Sequence, residues 1–197
     1  MKRILALALT LSFAACTAEP PAAPSAPAAP APAEQPIDAN ALSANGWGPL
    51  RIGMTMAEIT AALGPDANPN AVGGADPAVC TQFRPERAPE GMLLMVENGV
   101  LSRITLMRTN VLKTDRGFGL GDSAAAIKAA YGADAIATPH KYIGLPAEYI
   151  AAWVNLRPTE YVQDANARGI VYETDAQGIV RQIHAGGPSI QLVEGCS

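Results

Sequence analysis

The sequence predicts an α+β fold of two tandem repeats, each a short helix followed by about three antiparallel strands. Three observations carry this. A glycine, a hydroxyl residue and a short apolar-periodic run occur twice, in Gly53-Met54-Thr55-Met56-Ala57-Glu58-Ile59 and in Gly121-Asp122-Ser123-Ala124-Ala125-Ala126-Ile127. Each run is followed by two β-prone segments around a polar-glycine turn, Asn98-Gly99 and Gln177-Gly178. Within those segments apolar residues alternate, as in Val100, Ile104 and Leu106, or Ile179, Ile183 and Ala185.

Each element has a local cause. Thr55 and Ser123 are N-cap residues, whose oxygens can accept a bond from an orphan helix amide. Thr55-x-x-Glu58 adds a capping box. Met56, Ile59 and Leu63 then share one helical face; Ala124, Ile127 and Tyr131 have the equivalent spacing. Gly64 and Gly132 end the helices. Strands are expected at Val79 to Arg84, Leu93 to Val96 and Val100 to Met107. Their counterparts are Tyr149 to Asn155, Val171 to Thr174 and Ile179 to His184. The repeats are placed at 38–112 and 113–197, sharing one core, because a helix on three strands buries little by itself.

The N-terminal part has a different character. Lys2 and Arg3 precede an apolar run from Ile4 to Ala15, and small residues stand directly before Cys16. A basic start, a short apolar stretch and a small-residue cleavage site define an export signal, here 1–15. The run is too short to span a bilayer, which takes about 20 residues. Phe13-Ala14-Ala15-Cys16 resembles a bacterial lipobox, which implies an acylated Cys16. The segment 16–37 is almost all alanine and proline after that cysteine. Proline lacks the amide donor that helices and sheets need, so this is an extended tether with a reach of roughly 60 Å.

Composition narrows the partners. Lys and Arg number 14 against 18 Asp and Glu, without a basic block after the signal. A grip on nucleic acid needs clustered cations, so no nucleic acid is expected. The chain has three cysteines. With Cys16 acylated, Cys80 and Cys196 remain as an even pair in an oxidising compartment, and a Cys80–Cys196 disulfide is expected. The alternative is two separate buried thiols.

Motifs for catalysis are scarce. Gly117-x-Gly119-x-Gly121 lacks the strand–loop–long-helix setting of a dinucleotide site, and a tight turn before a helix accounts for it. No nucleotide, cofactor or metal is therefore expected. The histidines, His140 and His184, fall outside the usual zinc-ligand spacings. His184 lies opposite the Ile179/Ile183 face and is expected to point to solvent. A Cys80–His140 nucleophile pair is pre-empted by the disulfide. No catalytic residue is assigned. Two loops combine aromatics, cations and prolines, around Arg84 and Arg87 and around His140, Lys141 and Tyr142. Taken as occupying comparable places in the two repeats, they form a candidate shared binding surface.

The stretch Arg51-Ile52-Gly53-Met54-Thr55-x-x-Glu58-Ile59-x-x-x-Leu63-Gly64-x-Asp66 resembles the helix start of small envelope lipoproteins of the SmpA/OmlA type, the β-barrel assembly accessory group. The tandem arrangement is similar to the β-lactamase-inhibitor-protein family, whose halves repeat a helix-and-sheet unit. The region also resembles proteobacterial envelope lipoproteins with a Pro-His-Lys-Tyr segment, here at 139–142, and a Val-Glu-Gly-Cys-Ser end, here at 193–197. These resemblances imply a fold rather than a partner. Thr17 after Cys16, by resemblance to enteric lipoproteins, implies sorting to the outer membrane. The expected function is a non-catalytic binding module, held to outer-membrane lipid through Cys16 and meeting an envelope protein in the periplasm. The alternatives are an inhibitor of an exported or periplasmic enzyme, and an envelope hydrolase or thiol enzyme.

Overall fold

The two helices form where the hydroxyl caps stand. Helix α1 spans Met56–Leu63 and α2 spans Ala124–Tyr131. Thr55 Oγ1 accepts from the Glu58 amide at 3.3 Å, and Glu58 Oε2 accepts from the Thr55 amide at 2.8 Å. This closes the capping box. Ser123 Oγ accepts from the Ala126 amide at 3.2 Å. These come from a computed structural model, which describes residues 40–196 apart from 72, 158 and 160. The expected signal peptide, Cys16 and the alanine/proline tether lie outside the described residues. Those described belong to one unit spanning Pro36–Ser197.

The strands are β1 Gly46–Trp47, β2 Leu50–Arg51, β3 Cys80–Phe83, β4 Met92–Glu97, β5 Val100–Met107, β6 Ala135–Pro139, β7 Glu148–Trp153, β8 Gly169–Thr174 and β9 Val180–Gly186. The first two form a small ribbon. The other seven form one antiparallel sheet in the order β3-β4-β5-β9-β8-β7-β6. The fold class is thus α+β. About three strands after each helix holds for α1, whereas α2 is followed by four, because 135–139 adds the edge strand β6. Its Ala-Ile-Ala-Thr-Pro sequence sets only two β-branched residues, Ile136 and Thr138, among alanines and a closing proline, and alanine and proline both weaken a strand signal.

Both helix starts dock on a hairpin in the same way. At α1, Met56 N–H donates to Gly99 O (3.3 Å), Leu101 N–H to Met54 O (2.8 Å) and Gly53 N–H to Leu101 O (2.8 Å). At α2, Ala124 N–H donates to Gly178 O (2.8 Å), Val180 N–H to Asp122 O (2.9 Å) and Gly121 N–H to Val180 O (3.0 Å). Asn98 and Gly99 have φ of 49° and 81°, the left-handed pair a two-residue hairpin turn requires.

The helices cover one face of the sheet. A single register row, Phe83-Leu94-Ile104-Ala185-Ile170-Ala152-Ala135, crosses all seven strands on that face. It packs with Ile59 and Leu63 of α1 and Ile127 and Tyr131 of α2 in one apolar core. The opposite face carries a smaller apolar cluster of Trp153, Val162, Ala167, Val171 and Ile190. Buried Arg103, Thr105 and His184 gather on this second face.

Candidate functional site: a strapped cavity on the second face of the sheet

Strand alternation sets the groups on this face. One register row reads Leu93-Thr105-His184-Val171-Ala151-Ile136; the next reads Met107-Gln182-Glu173-Tyr149-Thr138. Glu173 and His184 are therefore diagonal cross-strand neighbours. His140 follows Thr138 by two residues just past β6, and its ring stacks on Tyr149 with centroids 4.7 Å apart.

The C-terminal segment lies over these rows. A 3-10 helix at Pro188–Gln191 packs on β5, β8 and β9. The Cys80–Cys196 disulfide then ties the tail to β3 at the far edge, as the cysteine count led one to expect. Between these points the tail is held by Arg103, whose Nη1 donates to Ser189 O (3.2 Å) and Leu192 O (2.8 Å). Its Nη2 donates to Gln82 Oε1 at 3.1 Å. Ser189 Oγ donates to Glu97, and Gln191 Nε2 to Val162 O at 2.9 Å. At the tail's end Glu194 accepts from Lys141 Nζ at 2.9 Å and from the Tyr142 hydroxyl. The Pro-His-Lys-Tyr segment and Glu194 of the tail, distant in sequence, thus meet.

This strap corrects the expectation for His184. The residue does lie on the face opposite Ile183, but that face is covered, and His184 is only 7% exposed. Its Nδ1 is 2.9 Å from Thr105 Oγ1, and its Nε2 lies 3.6 Å from Glu173 Oε2. His140, equally buried, has Nε2 3.1 Å from Glu173 Oε1. The amides of Tyr142 and Ile143 donate to its Nδ1. A neutral His140 therefore carries its proton on Nε2 and gives it to Glu173.

Burial pulls the His184 pKa below the usual value for histidine; the Glu173 carboxylate beside it opposes this and the Arg103 charge adds to it. For Glu173, burial pushes upward, but the nearby His184 and the His140 hydrogen bond outweigh it and hold the carboxyl below its ordinary value. Burial likewise lowers the Arg103 guanidinium to about 10, against the pull of Glu97 and Glu173. At neutral pH the face holds a charged Arg103, an ionised Glu173 and a neutral His184.

Between strap and sheet lies a cavity of about 190 Å³. Its floor is Ile136, Thr138, Tyr149, Ala151, Val171, Glu173 and His184, and Tyr161 and 190–193 complete its wall. Thr105, His184 and Glu173 follow the order nucleophile, base, orienting acid. Thr105, however, is 2% exposed and does not line the cavity, so a substrate there would not reach its hydroxyl. Cys80 and Cys196 are bonded to each other and offer no thiolate. No group of three or more His, Cys, Asp or Glu able to hold a metal occurs among the described residues. A second hollow, a groove of about 890 Å³ beside the end of α2, is bordered by Asp115, Arg116, Tyr131, Asn155 and Arg157. Arg116 sits over Tyr131, 5.1 Å from the ring centroid.

The two loops singled out in the sequence do not form one surface. The Arg84/Arg87 loop joins β3 to β4 and the His140 loop joins β6 to β7, at opposite edges with β5, β9 and β8 between. Taking them as equivalent misassigned the loop after α2, because β6 intervenes before β7. Both arginines are spent on the fold: Arg84 Nε donates to Met92 O (3.0 Å), and Arg87 Nη2 to Ala61 O (3.3 Å) and Ala62 O (3.1 Å) at the end of α1. Of the five, only Lys141 and Tyr142 stand exposed beside the strapped site, with buried His140 behind them. Arg103, Tyr149 and Glu173 were missed in the sequence. Comparison with protein-family models, curated proteins and solved structures finds no match.

Proposed function

We propose that the chain is a non-catalytic binding module of the bacterial envelope, anchored to the outer membrane through acylated Cys16 and receiving a partner protein at the strapped cavity. The observation that carries this is the cavity itself: an apolar-walled space kept open beneath a segment fastened at several points. A covalent and hydrogen-bonded strap preserves such a hollow against collapse, and pre-formed concave sites of this kind are the usual seats of ligands. The titratable groups along it favour binding over chemistry. Glu173 is engaged by both histidines and His184 by Thr105. The export signal and tether in the sequence supply the placement.

The tandem organisation at 38–112 and 113–197 belongs to the same reading. It is supported by the matched bonds at the helix starts and by matching register shifts, at Met95/Val96 in one hairpin and Glu173/Thr174 in the other. The last strands, β5 and β9, pair antiparallel at the sheet centre, as a twofold duplication would place them.

Tyr161 is 59% exposed and lines the cavity, so a photo-crosslinking residue placed there tests the reading in cells. The expected outcome is a discrete adduct with an envelope protein; none above background rejects the binding role. Cys16→Ser should abolish fatty-acid labelling and release the protein from membranes, and unchanged labelling rejects the anchor. An inhibitor of an exported or periplasmic enzyme is the second reading. It is favoured by the β6–β7 loop, where Tyr142, Ile143 and Leu145 are 64%, 52% and 68% exposed.

A further inference from the structure

The two edges of the sheet are finished differently. At β3 the edge is closed. Gln82 N–H donates to Gly73 O at 2.8 Å, and Gly73 and Gly74 lie so near that a Cβ on either would fall 2.4 Å from Thr81 Oγ1 or Cys80 O. At β6 it is open. His140 N–H donates to Ala147 O (2.9 Å), which makes that pair hydrogen-bonded, and such pairs alternate along an antiparallel ladder. In the observed register Ile136 and Thr138 also face β7. The N–H and C=O of Ala135 and Ala137, and the C=O of Pro139, point away from it. No strand lies on that side among the described residues, and Ala137 is exposed.

The open edge and the cavity are continuous. The floor runs from His184 on β9 through Val171 and Ala151 to Ile136 on β6 itself. A strand laid against β6 would send alternate side chains to this face, beside Ile136 and Thr138. We propose that β6 accepts an extended peptide segment of a partner protein, with main-chain bonds to Ala135, Ala137 and Pro139 and one uncharged apolar side chain seated in the cavity. This rests on the binding-module reading and names the partner's chemistry. The aliphatic wall, Ile136, Val171, Ile190, Leu192 and Val193, selects an apolar side chain, and ionised Glu173 rejects an acidic one. Pro139 has no N–H to offer, so pairing ends there and the segment is short.

The test uses the full chain and a fluorescent eight-residue peptide that alternates threonine with valine and a central leucine. Saturable binding is expected, with amide exchange at Ala137 slowed by about tenfold or more when the peptide is present. N-methylating the peptide amides that face β6, or replacing its leucine by aspartate, should each weaken binding by at least about tenfold. Ala137→Pro, which removes an outward N–H without touching the β7 ladder, should keep the melting temperature close to wild type and lose the peptide. Equal binding of methylated and unmethylated peptides overturns the edge proposal while leaving a cavity-only module standing. Absence of any peptide binding also overturns it, and the Tyr161 crosslink judges the module separately. Slow Ala137 exchange without peptide, together with a dimer mass, would give the edge to a second copy of this chain and overturn the proposal as well.

Discussion

Arg103 shows what a single residue does on the covered face. It is 3% exposed and bonds two tail carbonyls and Gln82, so its charge is balanced by acceptors rather than by water. Arg103→Met should fit the space but remove the guanidinium's bonds to Ser189 O, Leu192 O and Gln82 Oε1, the two tail carbonyls each keeping a backbone N–H, at a cost of about 1–3 kcal/mol in urea unfolding. The Glu173–His184 pair should set the acid limb of stability. Burial keeps the folded His184 pKa below its unfolded value, so the unfolded chain binds more protons as pH falls through about 6.5, and stability drops there. Glu173 has a lowered folded pKa, so its contribution is present above 4.5 and is lost at more acid pH. His184→Gln should flatten the decline between about pH 7 and pH 5 and keep the lower one. Urea midpoints across that range measure both; an unchanged slope in the variant would mean that His184 is not the titrating group.

At the scale of elements, the caps and the strap make separable contributions. Thr55→Ala should cost about 1 kcal/mol, and Ser123→Ala somewhat less, because Ala126 occupies the place of Glu58 in the box. Replacing Cys80 and Cys196 by serine opens a link across 116 residues. Its cost should be about 2–5 kcal/mol, with faster amide exchange at 187–196 than in the helices. The elements legible in the sequence are those with local causes: the two caps, the Asn98-Gly99 turn, and the alternation of β5 and β9. What stayed hidden has non-local causes. β6 becomes a strand only because β7 offers it a ladder. His184 alone is expected at solvent in the sequence, since an antiparallel sheet commonly keeps one wet face. The clue to the contrary was present in Ile190, Val193 and Cys196: a tail with apolar residues, bound to β3, must cross that face. The cavity escaped notice for the same reason, since its floor and roof come from segments that meet only after the tail is in place.

At the scale of the whole molecule, the junction between β5 and β9 decides whether either half is a domain. Ile104 faces Ala185 and Leu106 faces Ile183 across that junction, and all four are 0% exposed. Cutting the chain between the halves would expose this row and one unpaired edge on each side. A helix on three or four strands then has too little buried area to offset its ordering entropy. Fragments 40–112 and 113–197, prepared separately, should therefore show no cooperative urea transition. Mixed under oxidising conditions they should regain strand content and the Cys80–Cys196 bond, because the junction is antiparallel and needs no covalent connection at its ends. A sigmoidal transition for 40–112 alone would show that one helix and three strands suffice. The shared core would then be an association of two domains rather than the condition for folding.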